Sequence, residues 1–345
     1  SSENYELSGL KRMTSYPRDI GDSSEPTKKL ILNEMKFGIM LFKDFEWDLY
    51  FIYFSSLDNI EHLFWMYFDE NDPEHQKNNP YKDVIIDFYK FYDKYVIGKF
   101  LQLLDSETVL IVLSDHGHAM RPANVLNVNE ILRKNGFLQS KVDDKRFKGK
   151  YYLLEAMRKK IINSINMHRL VGKIDSTIVG IFPKSMSTYL GCIPIDHRGT
   201  IAYLSDPSGG LKAYSYAGIK INGCNMDTDT YEKIRDQIIS LFSNINDPIT
   251  SDSIIERIIR REELYKGEYL HKYPDILLKL RDEWGVGWEI NESIFGKSYS
   301  HRLHSGNHRQ ETAVFLICGN ENVKINEDIT LMNVAPIVLE LLEIK

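Results

Sequence analysis

Thr108-Val109-Leu110-Ile111-Val112-Leu113-Ser114, closed by Asp115-His116-Gly117, is the stretch on which the fold reading turns. Five consecutive apolar residues of strand length, ended by a turn, read as a buried strand covered on both faces, the pattern of a parallel sheet. Two other runs have the same character: Trp47 to Ser55, nearly all apolar and aromatic, and Thr312 to Cys318. Helical spacing separates them. Leu30, Ile31, Met35, Phe37, Met40 and Leu41 recur along 26–45, a short helix is expected over 58–66, and a long amphipathic one over 81–104 after a loop containing Pro73 and Pro80. Strand, helix and strand in alternation mark an α/β sheet.

Further along, helices are expected over 127–137, 150–168, 228–245 and 333–343, with short strands at 254–259 and 276–280. The stretch 185–225 differs, with short β-prone runs between Gly199, Pro207, Gly209, Gly210, Gly218 and Gly223. The expected organisation is a three-layer α/β core with a mainly parallel sheet, formed by 26–137 and 290–345. A tail or surface segment (1–25) precedes it, and an α+β cap insertion (138–289) interrupts it.

The chain has 345 residues, long enough for a sizeable core. Lys and Arg number 43 against 49 Asp and Glu, a formal charge of -6, so no nucleic-acid platform or anionic-membrane surface is indicated. No apolar run approaches the roughly 18–20 residues of a membrane span. Cys192, Cys224 and Cys318 form no Cys-x-x-Cys pair, which argues against a disulfide framework or thiolate metal site and for a reducing, cytoplasmic setting. The sequence starts Ser1-Ser2-Glu3-Asn4, without an initiator Met or a signal peptide.

Three clusters bring metal-ligand residue types to the ends of the apolar runs. In Leu57-Asp58-Asn59-Ile60-Glu61-His62, Asp58 and His62 are four apart and share a helix face, so a carboxylate and an imidazole can meet one cation. The same spacing equally serves an N-cap and a surface histidine. In Ser114-Asp115-His116-Gly117, both side chains reach one ion only if the chain turns, which Gly117 permits. Asp115 also falls at a strand's carboxyl end, where open α/β sheets bind ligands. A plain turn is the alternative. The third cluster, His301 to Arg309, holds His301, His304 and His308, three of the chain's 10 histidines. His304 and His308 are alternative ligands there, and an exposed basic turn is the bland reading. Carboxylates and imidazoles without thiolate suit zinc first, then manganese or another divalent ion. Two ions about 3.5–4 Å apart would clamp the attacking and leaving oxygens of a phosphoryl transfer. His75, His118, His168, His197 and His271 are read as surface or structural residues.

Asp-x-x-x-His after an aromatic run, Ser-Asp-His-Gly closing a second and Gly-x-His-Arg before a third together resemble the alkaline phosphatase superfamily, in its branch of type I phosphodiesterases and nucleotide pyrophosphatases. Gly199-Thr200-Ile201-Ala202-Tyr203 ahead of Gly218-Ile219-Lys220-Ile221-Asn222, Tyr265-Lys266-Gly267 ahead of Pro274-Asp275, and Asn333 to Leu339 add to the likeness, which runs over about 45–345. It implies an alkaline-phosphatase-like core and two metal ions, zinc foremost. Asp58, His62 and His308 would hold one ion, and Asp115 and His116 the other.

The family completes the second ion with an Asp after the first strand and a Thr or Ser nucleophile at a helix N-terminus, both well before the position of Asp58. About 57 residues precede Asp58 here, and Thr14 and Ser15 are the nearby hydroxyls in a plausible turn, without the family's context. No catalytic nucleophile is assigned. The absent initiator Met favours a missing N-terminal segment over a lost nucleophile. The expected function is metal-dependent hydrolysis of a phosphodiester or pyrophosphate in a small nucleotide, nucleotide-sugar or lipid-linked substrate, by covalent phospho-enzyme chemistry. The alternatives are a phosphomonoesterase, sulfatase-like hydrolase or phosphomutase on the same scaffold, or a catalytically silent binding protein.

Overall fold

A computed structural model describes residues 23–141, 195–206, 213–223, 226–290, 293–298, 300–301, 304–319 and 329–344. Thr14, Ser15, Cys192, Cys224 and the helix expected over 150–168 lie outside these residues. Among the described residues the α-helices longer than one turn are, in chain order, α1 (Ser24–Asp44), α2 (Ser56–Phe68), α3 (Val84–Tyr92), α4 (Val128–Lys134), α5 (Thr228–Ser243) and α6 (Leu331–Leu341). α3 runs on through a π turn (Asp93–Ile97) into a last α turn (Gly98–Leu101). The strands are β1 (Leu110–Leu113), β2 (Gly117–Met120), β3 (Asn124–Asn127), β4 (Ala202–Leu204), β5 (Tyr216–Ile221), β6 (Ile255–Arg260), β7 (Ile276–Leu280), β8 (Trp284–Gly287), β9 (Phe295–Lys297), β10 (Gly306–Arg309) and β11 (Phe315–Cys318). The chain divides into two compact units, 1–120 with 304–345, and 121–303.

In the first unit α1, α2 and α3 share a core of Ile31, Met35, Ile60, Phe64, Ile85 and Phe88. On α1 the buried positions Thr27, Ile31, Met35 and Gly38 recur every three or four residues, the stripe of a helix with one covered face. Gly38 matters because the chain crosses α1 there: Tyr50 donates its hydroxyl to the Gly38 carbonyl at 2.8 Å, and a Cβ at 38 would stand 2.4 Å from Ile52 Cδ1.

The run Trp47–Ser55 joins no strand pairing among the described residues. Its side chains alternate: Tyr50, Ile52 and Phe54 pack against the helical core, while Leu49, Phe51 and Tyr53 are exposed. A strand covered on both faces is therefore not what this stretch forms. Its aromatic richness satisfies one face only.

The expected mainly parallel sheet is also absent from the described residues. β1 pairs with β11 antiparallel, Leu110 opposite Cys318 and Leu113 opposite Phe315. β2 pairs with β10 antiparallel as well. In the second unit the order β4-β5-β7-β6 is antiparallel throughout, and the one parallel pairing among the described residues is β3 with β8, in a sheet completed by antiparallel β9. The physical reason is simple. An apolar run reports shielding of its faces and carries no information on the direction of its neighbour. What stands is an α/β chain of helices and sheets.

The second unit's core gathers Ile131, Leu132, Ile219, Ile238, Phe242, Ile254, Ile276 and Leu278. α5 opens on Asp227, whose side chain accepts from the Thr230 N–H, an N-cap of the ordinary kind. Asp275 is buried, accepting from the Ile221 N–H at 2.6 Å, the Tyr231 hydroxyl at 2.7 Å and Arg261 Nη1 at 2.7 Å. A buried carboxylate persists only when so surrounded by donors.

Candidate metal centre

α2 carries the first part of the site. Its N-cap position is Ser55 and no side chain caps it, so Asp58 stands inside the first turn. The reading of Asp58 as a simple N-cap therefore fails. One turn on, His62 shares its face, with Nε2 3.4 Å from Asp58 Oδ1.

β2 and β10 supply more imidazoles. Their register sets His118 opposite His308, and His116 lies two residues before His118, where the chain enters β2. Two glycines allow the close approach. A Cβ at Gly306 would stand 2.3 Å from the Glu61 carbonyl oxygen of α2, and one at Gly117 would stand 2.3 Å from the carbonyl oxygen of Thr312. Ser305 Oγ accepts the Met66 N–H at 2.8 Å, tying the entry of β10 to α2.

The result is a convergence on one oxygen. Asp58 Oδ1 lies 3.3 Å from His118 Nε2, 3.4 Å from His62 Nε2, 3.4 Å from His308 Nε2 and 4.0 Å from His116 Nε2. His62 and His308 bring their Nε2 atoms to 2.9 Å, and the rings of His116 and His308 stack with centroids 3.7 Å apart. Asp115 stands at the rim, largely exposed, with Oδ2 3.6 Å from His116 Nε2.

The opposite nitrogens explain this orientation. His62 Nδ1 is 2.8 Å from the Gly306 carbonyl, His118 Nδ1 is 3.0 Å from Glu61 Oε2, and His116 Nδ1 is 3.1 Å from the Gly117 carbonyl. An oxygen acceptor beside Nδ1 holds a proton there and turns Nε2 toward the centre as the ligating nitrogen.

The pocket is electrostatically set for positive charge. Burial works to raise the pKa of Asp58, but His118 and the other imidazoles outweigh it and hold the carboxyl low. Burial likewise disfavours a charged His118, yet Asp58 and Glu61 on its two sides prevail and push it up to about 9. Burial lowers His304.

The donors fit a divalent cation. Asp58 Oδ1 and His118 Nε2 are sealed from solvent, and neither completes a hydrogen bond. One ligand atom from each of Asp58, His62, His118 and His308 lies within 4.8 Å of all the others. Bonds of about 2.0–2.1 Å space the donors of a tetrahedral zinc site about 3.3–3.4 Å apart. The three distances from Asp58 Oδ1 to His118, His62 and His308 have that value.

Of the residues expected from sequence, Asp58, His62, His116 and His308 are brought together, and Asp115 adjoins them through His116. His304 is outside the group, its ring centroid 6.0 Å from that of His62. His118, read from sequence as a surface or structural residue, is instead buried in the cluster, 5% exposed. The missed signal was its spacing from His116, since residues two apart on a strand point the same way. Glu61 and Tyr89, whose hydroxyl donates to Glu61 Oε1 at 2.9 Å, were also missed. Arg309 pairs with Glu311 at 3.3 Å.

No curated protein matches this sequence. A solved structure that it resembles is the phosphonoacetate hydrolase from Sinorhizobium meliloti 1021 in complex with phosphonoacetate, at 13% identity and a TM-score of 0.38. The match covers 79% of this chain and 52% of that one, so the chain spans about half that protein's length. Among the described residues no helix is long and apolar enough to cross a membrane. Residues 16–184, which carry Asp58, His62, Asp115, His116 and His118, match the model of the type I phosphodiesterase / nucleotide pyrophosphatase family.

Proposed function

We propose that the chain is the metal-binding portion of a hydrolase acting on phosphodiester or pyrophosphate bonds, with a small nucleotide, nucleotide-sugar or lipid-linked phosphate as substrate. The single observation that carries this reading is the convergence of four imidazole Nε2 atoms on Asp58 Oδ1. The match of residues 16–184 to the type I phosphodiesterase / nucleotide pyrophosphatase family supports the class of reaction.

Two divalent ions, zinc foremost, are proposed, Asp58, His62 and His308 serving one and Asp115 and His116 the other. Bound there, such ions supply Lewis acidity at a phosphoryl oxygen and stabilise a leaving oxygen. The side chains do the rest of the work at this end of the site. Asp58 provides the anionic charge that keeps a cation in place. The Gly306 and Gly117 carbonyls fix the ring orientations of His62 and His116. Asp115, exposed at the rim, is placed to meet solvent or substrate. Residues 138–289, the stretch read as an insertion, are proposed to set substrate selectivity. No nucleophile is assigned.

The test is metal analysis of the purified chain together with hydrolysis of a chromogenic diester and the matching monoester. Two bound ions and faster diester turnover are expected, and His308→Ala should lose one ion and the hydrolysis while keeping its circular dichroism spectrum. A chain that binds no divalent ion refutes the proposal, and monoester preference redirects it to the phosphatase alternative.

A further inference from the structure

We infer that His118 is a fourth protein ligand of the ion held by Asp58, His62 and His308, and that Glu61, braced by Tyr89, is its positioning residue. The inference rests on the metal-binding reading above and deepens it. It assigns to one ion a set of one carboxylate and three imidazoles, all within the unit 1–120 with 304–345.

His118 is 5% exposed and its Nδ1 is occupied by Glu61 Oε2 at 3.0 Å. A histidine kept only for that contact has no need to aim its other nitrogen at a carboxylate. Here Nε2 stands 3.3 Å from Asp58 Oδ1, sealed from water, and neither atom completes a hydrogen bond. Buried polar atoms are rarely left so, and a cation between them satisfies both. That spacing equals the separation of Asp58 Oδ1 from His62 and His308 to within 0.1 Å, so His118 is placed like the two expected imidazole ligands.

Behind His118 the structure supplies what a ligating histidine usually has, a carboxylate on its second nitrogen. Glu61 is itself buried, and Tyr89 donates to its other oxygen at 2.9 Å. Glu61 precedes His62 on α2, so one helix turn carries two ligands and the group that orients a third.

The experiment uses the full chain, stripped with a chelator and titrated with Zn²⁺ against a chromophoric competitor, and with Co²⁺ for its d–d spectrum. His118→Ala and the more conservative His118→Gln should weaken one ion by about 10–100-fold or more, and the four-coordinate Co²⁺ band should lose intensity. Glu61→Gln should shift affinity the same way by about tenfold, and Tyr89→Phe by less. If the His118 variants fail to fold, the imidazole ¹⁵N shift of His118 Nε2 in the unaltered chain replaces them, and it should move on Zn²⁺ addition. The inference is overturned if His118 variants keep wild-type affinity and spectrum, or that shift stays still, while His308→Ala loses an ion. If His308→Ala also keeps both ions, the metal-binding reading falls and the inference falls with it.

Discussion

Gly306→Ala tests how tightly the site depends on the seam between α2 and β10. The added Cβ would meet the Glu61 carbonyl oxygen at 2.3 Å, the Glu61 carbonyl carbon at 2.8 Å and His62 Cα at 3.0 Å, all backbone atoms that no rotamer change can move. Ordinary contact begins at 3.4 Å, so the two elements must separate. The retreat is on the order of 1 Å, whereas metal–ligand distances tolerate only about 0.2 Å. His62 would also lose its 2.8 Å contact with the Gly306 carbonyl, and His308 two residues on would be carried off. Expected effects are about 1–3 kcal/mol of stability from overpacking and at least about 10-fold weaker Zn²⁺ binding. Gly136→Ala is the control. Gly136 has φ +80° with nothing within 4 Å of a new Cβ, in the other unit, so it should cost about 1 kcal/mol and leave metal binding alone. Chelator competition gives the affinity, and thermal unfolding in EDTA the stability. Wild-type affinity in Gly306→Ala, with a stability loss no larger than that of Gly136→Ala, would refute the reasoning.

Gly117→Ala should act likewise through its 2.2 Å conflict with Thr312 Oγ1, weakening Zn²⁺ binding in the same competition assay. Asp58→Asn keeps the shape but removes the charge on which the imidazoles converge, so metal content by mass spectrometry should fall by one ion while the circular dichroism spectrum stays the same. Tyr231→Phe deletes the 2.7 Å hydrogen bond to buried Asp275 and should cost about 1.5 kcal/mol in urea unfolding at neutral pH. Burial, together with Asp275, pushes Tyr231 up to about 12 from an ordinary 10.0, so the folded state holds this proton more tightly. The contribution is complete below the unfolded value and fades as pH rises toward the folded one, so the gap between wild type and variant should close across that interval.

α1 and α5 were legible in the sequence because each shows one covered face at helical spacing, as Ile31 and Met35 do on α1 and Ile238 and Phe242 do on α5. β6 and β7 were legible for their β-branched and leucine runs. Strand direction was not, because Leu110–Leu113 and Phe315–Cys318 would read the same in either orientation. At the candidate site, Asp58 and His62 were readable from helical spacing and His308 from histidine density. His118 escaped although its spacing from His116 was a local signal, because its facing of His308 across two strands 190 residues apart in sequence is a register the sequence does not spell out. Glu61 escaped for the opposite reason: it sits beside a candidate ligand, on a helix flank that looked merely polar.

The concentration of Asp58, Glu61 and His62 on two turns of α2 has a consequence for how this sequence tolerates change. Each residue of an α-helix advances the rotation by about 100°. A single insertion or deletion between Asp58 and Glu61 would turn Glu61 and His62 away from Asp58 by about 100°. Drift in register between these residues is therefore closed to the chain.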